Sequence, residues 1–241
     1  MIMWDELPQA ITQMQNAAAG CLLDWVLGPL KIDRKVVQLA TGNRTQDKAG
    51  ANRVVSQLGN RVMHLELEAH LDDWCTWAFG AGIDPLLIAF LRLRPNMLHD
   101  FLPDRLSNPT PRSWEMVSTS VDVSMPRDAQ MLACAGLVGE GAAAEYIGFR
   151  DLASKMPSID AILVQPTKAE VPTEPGVLYA VCTALAMRCT KANFDRVMSY
   201  LDRLPVEFST MAVKDAITKD ATITSSPAFT AWAVKNSSVF I

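Results

Sequence analysis

Met1-Ile2-Met3-Trp4-Asp5-Glu6 sets four bulky apolar residues against two adjacent acids, which reads as the end of a fully buried strand rather than the start of a helix. Outward from it, Pro8 to about Val26 places Ile11, Met14, Ala18, Leu22 and Trp25 at three- and four-residue steps, the period of an amphipathic helix that Gly28-Pro29 would end. Lys35 to Thr41 is β-branched and apolar and closes on a Gly42-Asn43 turn, so a second buried strand is expected. Between Val62 and Glu68 apolar and polar residues alternate, the pattern of a half-exposed or edge strand. Strands separated by helices imply a parallel sheet with crossovers, the α/β pattern.

After His70 strand signals become rare and the chain is expected to be helical. Asp72-Asp73 suits a helix N-terminus, with Trp74, Trp77, Ala78 and Phe79 behind it and Gly80 and Gly82 as stops. Asp84-Pro85 opens a helix to about Arg94, and Thr110-Pro111 caps one running to Val121. Asp128 to Phe149 is alanine-rich, with a break expected between Gly136 and Gly141. Residues 157–175 carry four prolines and read mostly as an exposed connection. Beyond it, Gly176–Cys189, Asn193–Leu204, Val206–Lys219 and Ser226–Asn236 read as four helices. The expected division is therefore 1–69 as α/β core, 70–156 as a helical region, 157–175 as a linker and 176–241 as a helical extension.

With 241 residues, 49% of them hydrophobic, the chain can bury a substantial core. Its formal net charge is −4 and no stretch gathers five or six basic residues, so nucleic acid is not indicated as a partner. Cys21, Cys75, Cys134, Cys182 and Cys189 are scattered, odd in number and without a CxxC pair, and read as small buried residues of a reducing compartment. No membrane span and no secretory signal is legible, and a cytoplasmic, soluble protein is expected. His64, His70 and His99 lack metal-ligand spacing, and no G-x-S-x-G elbow occurs.

Four clusters carry candidate chemistry. Asp5 and Glu6 stand at a strand end, where open α/β sheets bind ligands; one acid can hold Mg²⁺ and the other can orient or deprotonate an attacking water. Taken alone, such a pair is also what a solvated strand end looks like. Asn43, at the tip of the neighbouring strand, offers an amide to a γ-phosphate or water, or serves only as a turn residue. Arg61 precedes the third expected strand, where it could reach a neighbouring subunit's nucleotide or form a surface ion pair. Arg112 sits in the first turn after Thr110-Pro111, at the positive end of a helix, and invites an anion or a nearby carboxylate.

In order and spacing, Trp4-Asp5-Glu6-Leu7, then Ala40-Thr41-Gly42-Asn43-Arg44, then Leu58-Gly59-Asn60-Arg61 and Thr110-Pro111-Arg112-Ser113-Trp114-Glu115 resemble the Walker B, sensor 1, arginine-finger and sensor 2 succession of MoxR-like and dynein-related AAA+ ATPases. The resemblance covers about Met1 to Ser118. It implies the later part of a P-loop NTPase parallel sheet, a helical lid and a helical C-terminal extension, with ATP and Mg²⁺ as cofactors. It implies that Asp5 is the Mg²⁺ acid, Glu6 the catalytic base and Asn43 sensor 1. Arg61 would be the finger acting in trans, with Arg53 as a weaker candidate, and Arg112 would be sensor 2. It further implies a ring, expected to be a hexamer, that remodels a protein partner, such relatives often working with a von Willebrand A-domain protein.

One departure stands out: no GxxxxGK[ST] occurs in the chain, so the amide nest, lysine and hydroxyl that grip phosphates are missing from it. The family places that loop upstream of Met1, and the expectation is a sequence that begins late and does not hydrolyse ATP as it stands. The competing expectation is a non-catalytic helical interaction module, with Trp74, Trp77, Trp114 and Trp232 either at contacts or in the core.

Overall fold

Ile2–Trp4 forms the first strand, β1, but it is not buried on both faces. Ile2 and Trp4 are half-buried, whereas Met3 between them is 54% exposed. Helix α1 (Thr12–Asp24) follows it, and alternation along the strand puts Met3 on the face opposite that of Ile2 and Trp4. The structure, a computed structural model, describes residues 1–43, 56–59 and 62–236. It divides into two compact units, Met1–Glu68 and Ala69–Ile241.

In the first unit α1 presents Gln15, Ala18, Ala19 and Cys21 inward. Ile11 and Met14, expected on the buried stripe, are exposed. Ala18 of that stripe is buried and Leu22 and Trp25 are partly covered, and the small residues at 18, 19 and 21 let the helix approach closely. Trp25 closes α1 in the left-handed conformation (φ 61°), with its N–H donating to the Cys21 carbonyl. The chain then turns through Gly28-Pro29 in a small antiparallel hairpin, β2 (Val26–Leu27) with β3 (Leu30–Lys31), which the sequence reading left out. Strand β4 (Gln38–Ala40) returns parallel to β1, with Ile2 opposite Gln38, Met3 opposite Leu39 and Trp4 opposite Ala40. Gln38 ties the layer together: its amide donates to the Cys21 carbonyl at 2.8 Å and its Oε1 accepts from the Trp4 indole at 3.2 Å. A short helix, α2 (Ser56–Gly59), follows and buries Leu58.

The strand expected over Val62–Glu68 does not form. Among the described residues it joins no strand ladder, and Met63, Leu65 and Leu67 all stand exposed. Alternation makes a segment fit for a sheet, but a strand exists only with a partner for its N–H and C=O groups.

The second unit is helical among its described residues. Helices α3 (Leu71–Ala81), α4 (Pro85–Leu93), α5 (Pro111–Ser120), α6 (Arg127–Val138) and α7 (Glu140–Ala153) enclose one apolar cluster. Its centre is aromatic: the Phe90 ring lies 5.5 Å from Trp114, 5.3 Å from Tyr146 and 5.7 Å from Phe149. Caps fix the helix starts. Asp84 accepts from the Leu86 N–H, and Thr110 and Ser113 cap each other's backbone reciprocally.

A second cluster is built by α8 (Ile159–Val164), α9 (Pro175–Arg188), α10 (Phe194–Leu201), α11 (Val206–Lys219) and α12 (Pro227–Lys235). Helix α9 is apolar all round, with Gly176 to Ala186 buried apart from a partly covered Tyr179, and it packs against α4, α7, α8 and α11. Residues 157–175, expected as a linker, contain α8, whose Ile159 and Ile162 are buried in this cluster. The result is a mixed, helix-dominated α/β fold with a small open parallel pair and a small antiparallel pair of strands. Among the described residues no helix is long and apolar enough to cross a membrane.

All five cysteines are buried and free. Burial pushes the thiols of Cys75 and Cys189 up to about 11 and those of Cys134 and Cys182 up to about 12, and raises Cys21 too. Nucleophilic attack needs the thiolate, which these sites suppress. Ellman's reagent is therefore expected to find no fast-reacting thiol in the native protein and all five after denaturation; a fast thiol without denaturant would contradict the packing.

Candidate functional site

Thr41 joins the ends of β1 and β4. The strand ladder continues as the Thr41 N–H donates to the Trp4 carbonyl at 2.9 Å, and the Leu7 N–H donates to the Thr41 carbonyl at 3.0 Å. Between these, the Thr41 hydroxyl donates to Asp5 Oδ1 at 2.6 Å and accepts from the Glu6 N–H at 3.3 Å. One hydroxyl thus fixes both members of the acidic pair. A short O–H···O⁻ contact of this kind is charge-assisted and holds the carboxylate in one orientation.

Glu6 has φ 53° and ψ 36°, the left-handed region that residues with a Cβ avoid. The turn is held there from both sides. Pro8 follows two residues later and packs onto Gly42 so closely that a Cβ at 42 would lie 2.3 Å from Pro8 Cδ. Only glycine fits beneath that ring. Asn43 comes next, exposed, at the same carboxyl end of the parallel pair. Asp5 and Glu6 are exposed as well, so all three polar groups face solvent where a ligand would approach.

Asp5, Glu6 and Asn43 are therefore brought to one strand end. Arg112 belongs to the second unit, exposed in the first turn of α5, one residue before the Ser113 that completes the cap. Arg53 and Arg61 lie outside the described residues. Thr41 is a site residue that sequence reasoning misses; its signal is a hydroxyl directly before Gly-Asn, level with the acids once the strands pair. Of the tryptophans, Trp74, Trp114 and Trp232 are core residues, while Trp77 is 44% exposed.

Two carboxylates and a hydroxyl are hard oxygen donors on a solvated strand end. That suits a cation such as Mg²⁺, which keeps most of its water and takes only one or two carboxylates from protein. It does not suit a closed protein cage, and no group of three or more His, Cys, Asp or Glu among the described residues is placed to hold a metal.

The left-handed backbone at Glu6 costs roughly 1 kcal/mol relative to glycine. Glu6→Gly is expected to stabilise the protein by about that amount in urea denaturation, even as it removes the carboxylate. An unchanged or lowered midpoint would mean that the side chain itself holds the turn. No family model matches this chain, nor does any curated protein or solved structure.

Proposed function

We propose that the strand end formed by Asp5, Glu6, Thr41 and Asn43 is the hydrolytic end of a nucleotide site, in an ATPase of the MoxR-like AAA+ kind whose phosphate loop is not among these residues. The observation that carries the reading is the strained Glu6 beside an Asp5 clamped by Thr41, at the carboxyl end of a parallel strand pair. Backbone strain persists where surrounding structure over-determines it, and such places cluster at ligand sites. The side-by-side parallel pairing of the acid-bearing and asparagine-bearing strands supports it too.

In this reading Asp5 holds Mg²⁺ through water, oriented by Thr41, and the ion supplies charge neutralisation at the phosphates. Glu6, projecting from its left-handed turn, positions and deprotonates the attacking water. Asn43 donates its amide to the γ-phosphate or to that water. Arg112 and Arg61 are the cationic groups assigned to transition-state charge, in cis and in trans respectively, within a ring of copies that remodels a protein substrate.

Manganese with ATP tests the site in the chain as it stands, because paramagnetic broadening reports proximity even when affinity is low. The amides of Asp5, Glu6, Thr41 and Asn43 are expected to broaden selectively, and Asp5→Asn to abolish the effect. Uniform broadening over other surface acids, or broadening that survives Asp5→Asn, would remove this strand end as the metal site.

A second reading has its own support. Ala69–Ile241 holds two apolar clusters of its own, enough to stand as a helical interaction module indifferent to nucleotide. Partner binding that survives Asn43→Ala and Arg112→Ala would favour it.

A further inference from the structure

The helical unit carries a cleft of about 360 Å³ between the start of α4, the loop before α6, the end of α7 and the turn into α8. Its floor is apolar, made by Leu86, Ile147 and Met156, and Val123 stands on its rim at 69% exposure. The rim loop is held in place by Gln130, whose amide donates to the Val123 carbonyl at 3.2 Å and the Met125 carbonyl at 2.7 Å.

Two arginines bear on the cleft, and they differ. Arg127 is paired with Asp151, which also lines it, so those two charges cancel. Arg150 is half-buried, and its guanidinium lies 5.7 Å from the centroid of the Tyr146 ring. Among the described residues no carboxylate or carbonyl forms a hydrogen bond or ion pair with this guanidinium, which leaves its N–H donors open. Asp122, an acid that feels the Arg150 charge, accepts the Ser124 N–H at 2.8 Å. A fork of donors lying over an aromatic ring and lining an apolar hollow is an arrangement that selects a planar carboxylate. The volume falls in the range of small-molecule sites.

We propose that this cleft binds a small carboxylic acid with a compact apolar body, the carboxylate on the Arg150 guanidinium and the body over Leu86, Ile147 and Met156. The site is independent of the nucleotide reading and uses none of its residues.

Phenylbutyrate is the probe, with phenylbutanol as its uncharged counterpart, and amide chemical shifts of the native chain are the readout. Saturable shifts are expected at Val123, Ile147, Arg150 and Ser158 with the acid, and at least tenfold weaker binding with the alcohol. Arg150→Gln should weaken the acid tenfold or more and leave the alcohol unchanged, while Arg150→Lys retains part of the preference. Should Arg150→Gln disturb the packing on Tyr146, Val123→Asp serves instead, since this rim residue is exposed and a carboxylate there repels the acid alone. Equal binding of acid and alcohol, shifts spread outside the cleft, or full affinity in both Arg150→Gln and Val123→Asp would each overturn the proposal.

Discussion

Arg92→Met is expected to lower the unfolding free energy by about 3–5 kcal/mol near neutral pH. Arg92 sits in α4 between Leu91 and Leu93, and its guanidinium meets the Asp215 carboxylate of α11 with both N–H arms. Nη2 lies 2.6 Å from Oδ1, and Nη1 bonds Oδ2. The two side chains are only 10% and 8% exposed, and the Phe79 ring lies 5.5 Å from the guanidinium carbon. Methionine fills much of the arginine's apolar volume, so what the variant loses is the partner of a buried charge.

Burial raises the Asp215 carboxyl above its usual range, with Arg92 pulling the other way. For Arg92, burial opposes the charge, but the hydrogen bonds and charge of Asp215 overcome it and hold the guanidinium above its ordinary value. Removing Arg92 leaves desolvation of Asp215 unopposed. A carboxyl whose folded pKa lies above its unfolded one takes up a proton preferentially in the folded state, so its ionised form penalises folding at higher pH. The deficit of Arg92→Met is thus full above the raised pKa and shrinks as pH falls through it. Arg92→Met combined with Asp215→Leu should recover most of the loss, because replacing both partners by apolar groups removes the desolvation cost along with the attraction. Denaturant titrations of both variants at neutral and mildly acid pH are the measurement. A double variant no better than Arg92→Met alone would mean that the pair contributes through geometry rather than charge compensation.

That pair was not legible beforehand, and the reason is physical. Arg92 and Asp215 are 123 residues apart, and local patterning carries no information about contacts at that separation. The one hint was an arginine enclosed by leucines in a strongly apolar helix, which needs a partner if it is buried. The helices of the second unit were legible because their starts are written locally. Asp84-Pro85 and Thr110-Pro111 each pair a capping side chain with a proline that tolerates the first turn and cap as expected, and Ser226-Pro227 does the same at the start of α12. Helix α11 begins and ends where its composition says it should, at Val206 and Lys219.

The first unit was less legible for the same reason seen from the other side. Val62–Glu68 has the alternation of a strand but forms no strand ladder among the described residues, and pairing is non-local. The apolar step through Ile11, Met14, Ala18, Leu22 and Trp25 held for the buried Ala18 and the partly buried Leu22 and Trp25 but failed at Ile11 and Met14, while Gln15, Ala19 and Cys21 are buried off that stripe. At the candidate site, the acids and Asn43 could be placed from strand ends alone. Thr41 as the clamp on Asp5, and the left-handed turn at Glu6, depend on the register Trp4 opposite Ala40, which only the folded chain supplies.

Trp114→Ala is expected to cost about 3–5 kcal/mol, with no contribution from nucleotide or partner. Trp114 is 0% exposed, meets Phe90 and Tyr146 edge-on at 5.5 and 5.8 Å, and donates its indole N–H to the Met97 carbonyl at 2.6 Å. Alanine would open a large apolar cavity beneath α4, α5 and α7 and also leave the Met97 carbonyl without its donor, two penalties that add in a site too well packed to collapse. Trp114→Phe separates them: it keeps most of the ring contact, and its smaller loss, about 1–3 kcal/mol, is mainly that of the stranded carbonyl. Arg112 stands two residues earlier in the same helical turn but is exposed, so Arg112→Ala should leave stability within about 0.5 kcal/mol of the parent. Denaturation of the three variants side by side therefore distinguishes the two roles in one turn of α5. Trp114 serves the core, and any effect of Arg112 on nucleotide or partner is read without a folding defect to confound it. A Trp114→Ala protein within about 1 kcal/mol of the parent would show that this aromatic centre is not packed as described.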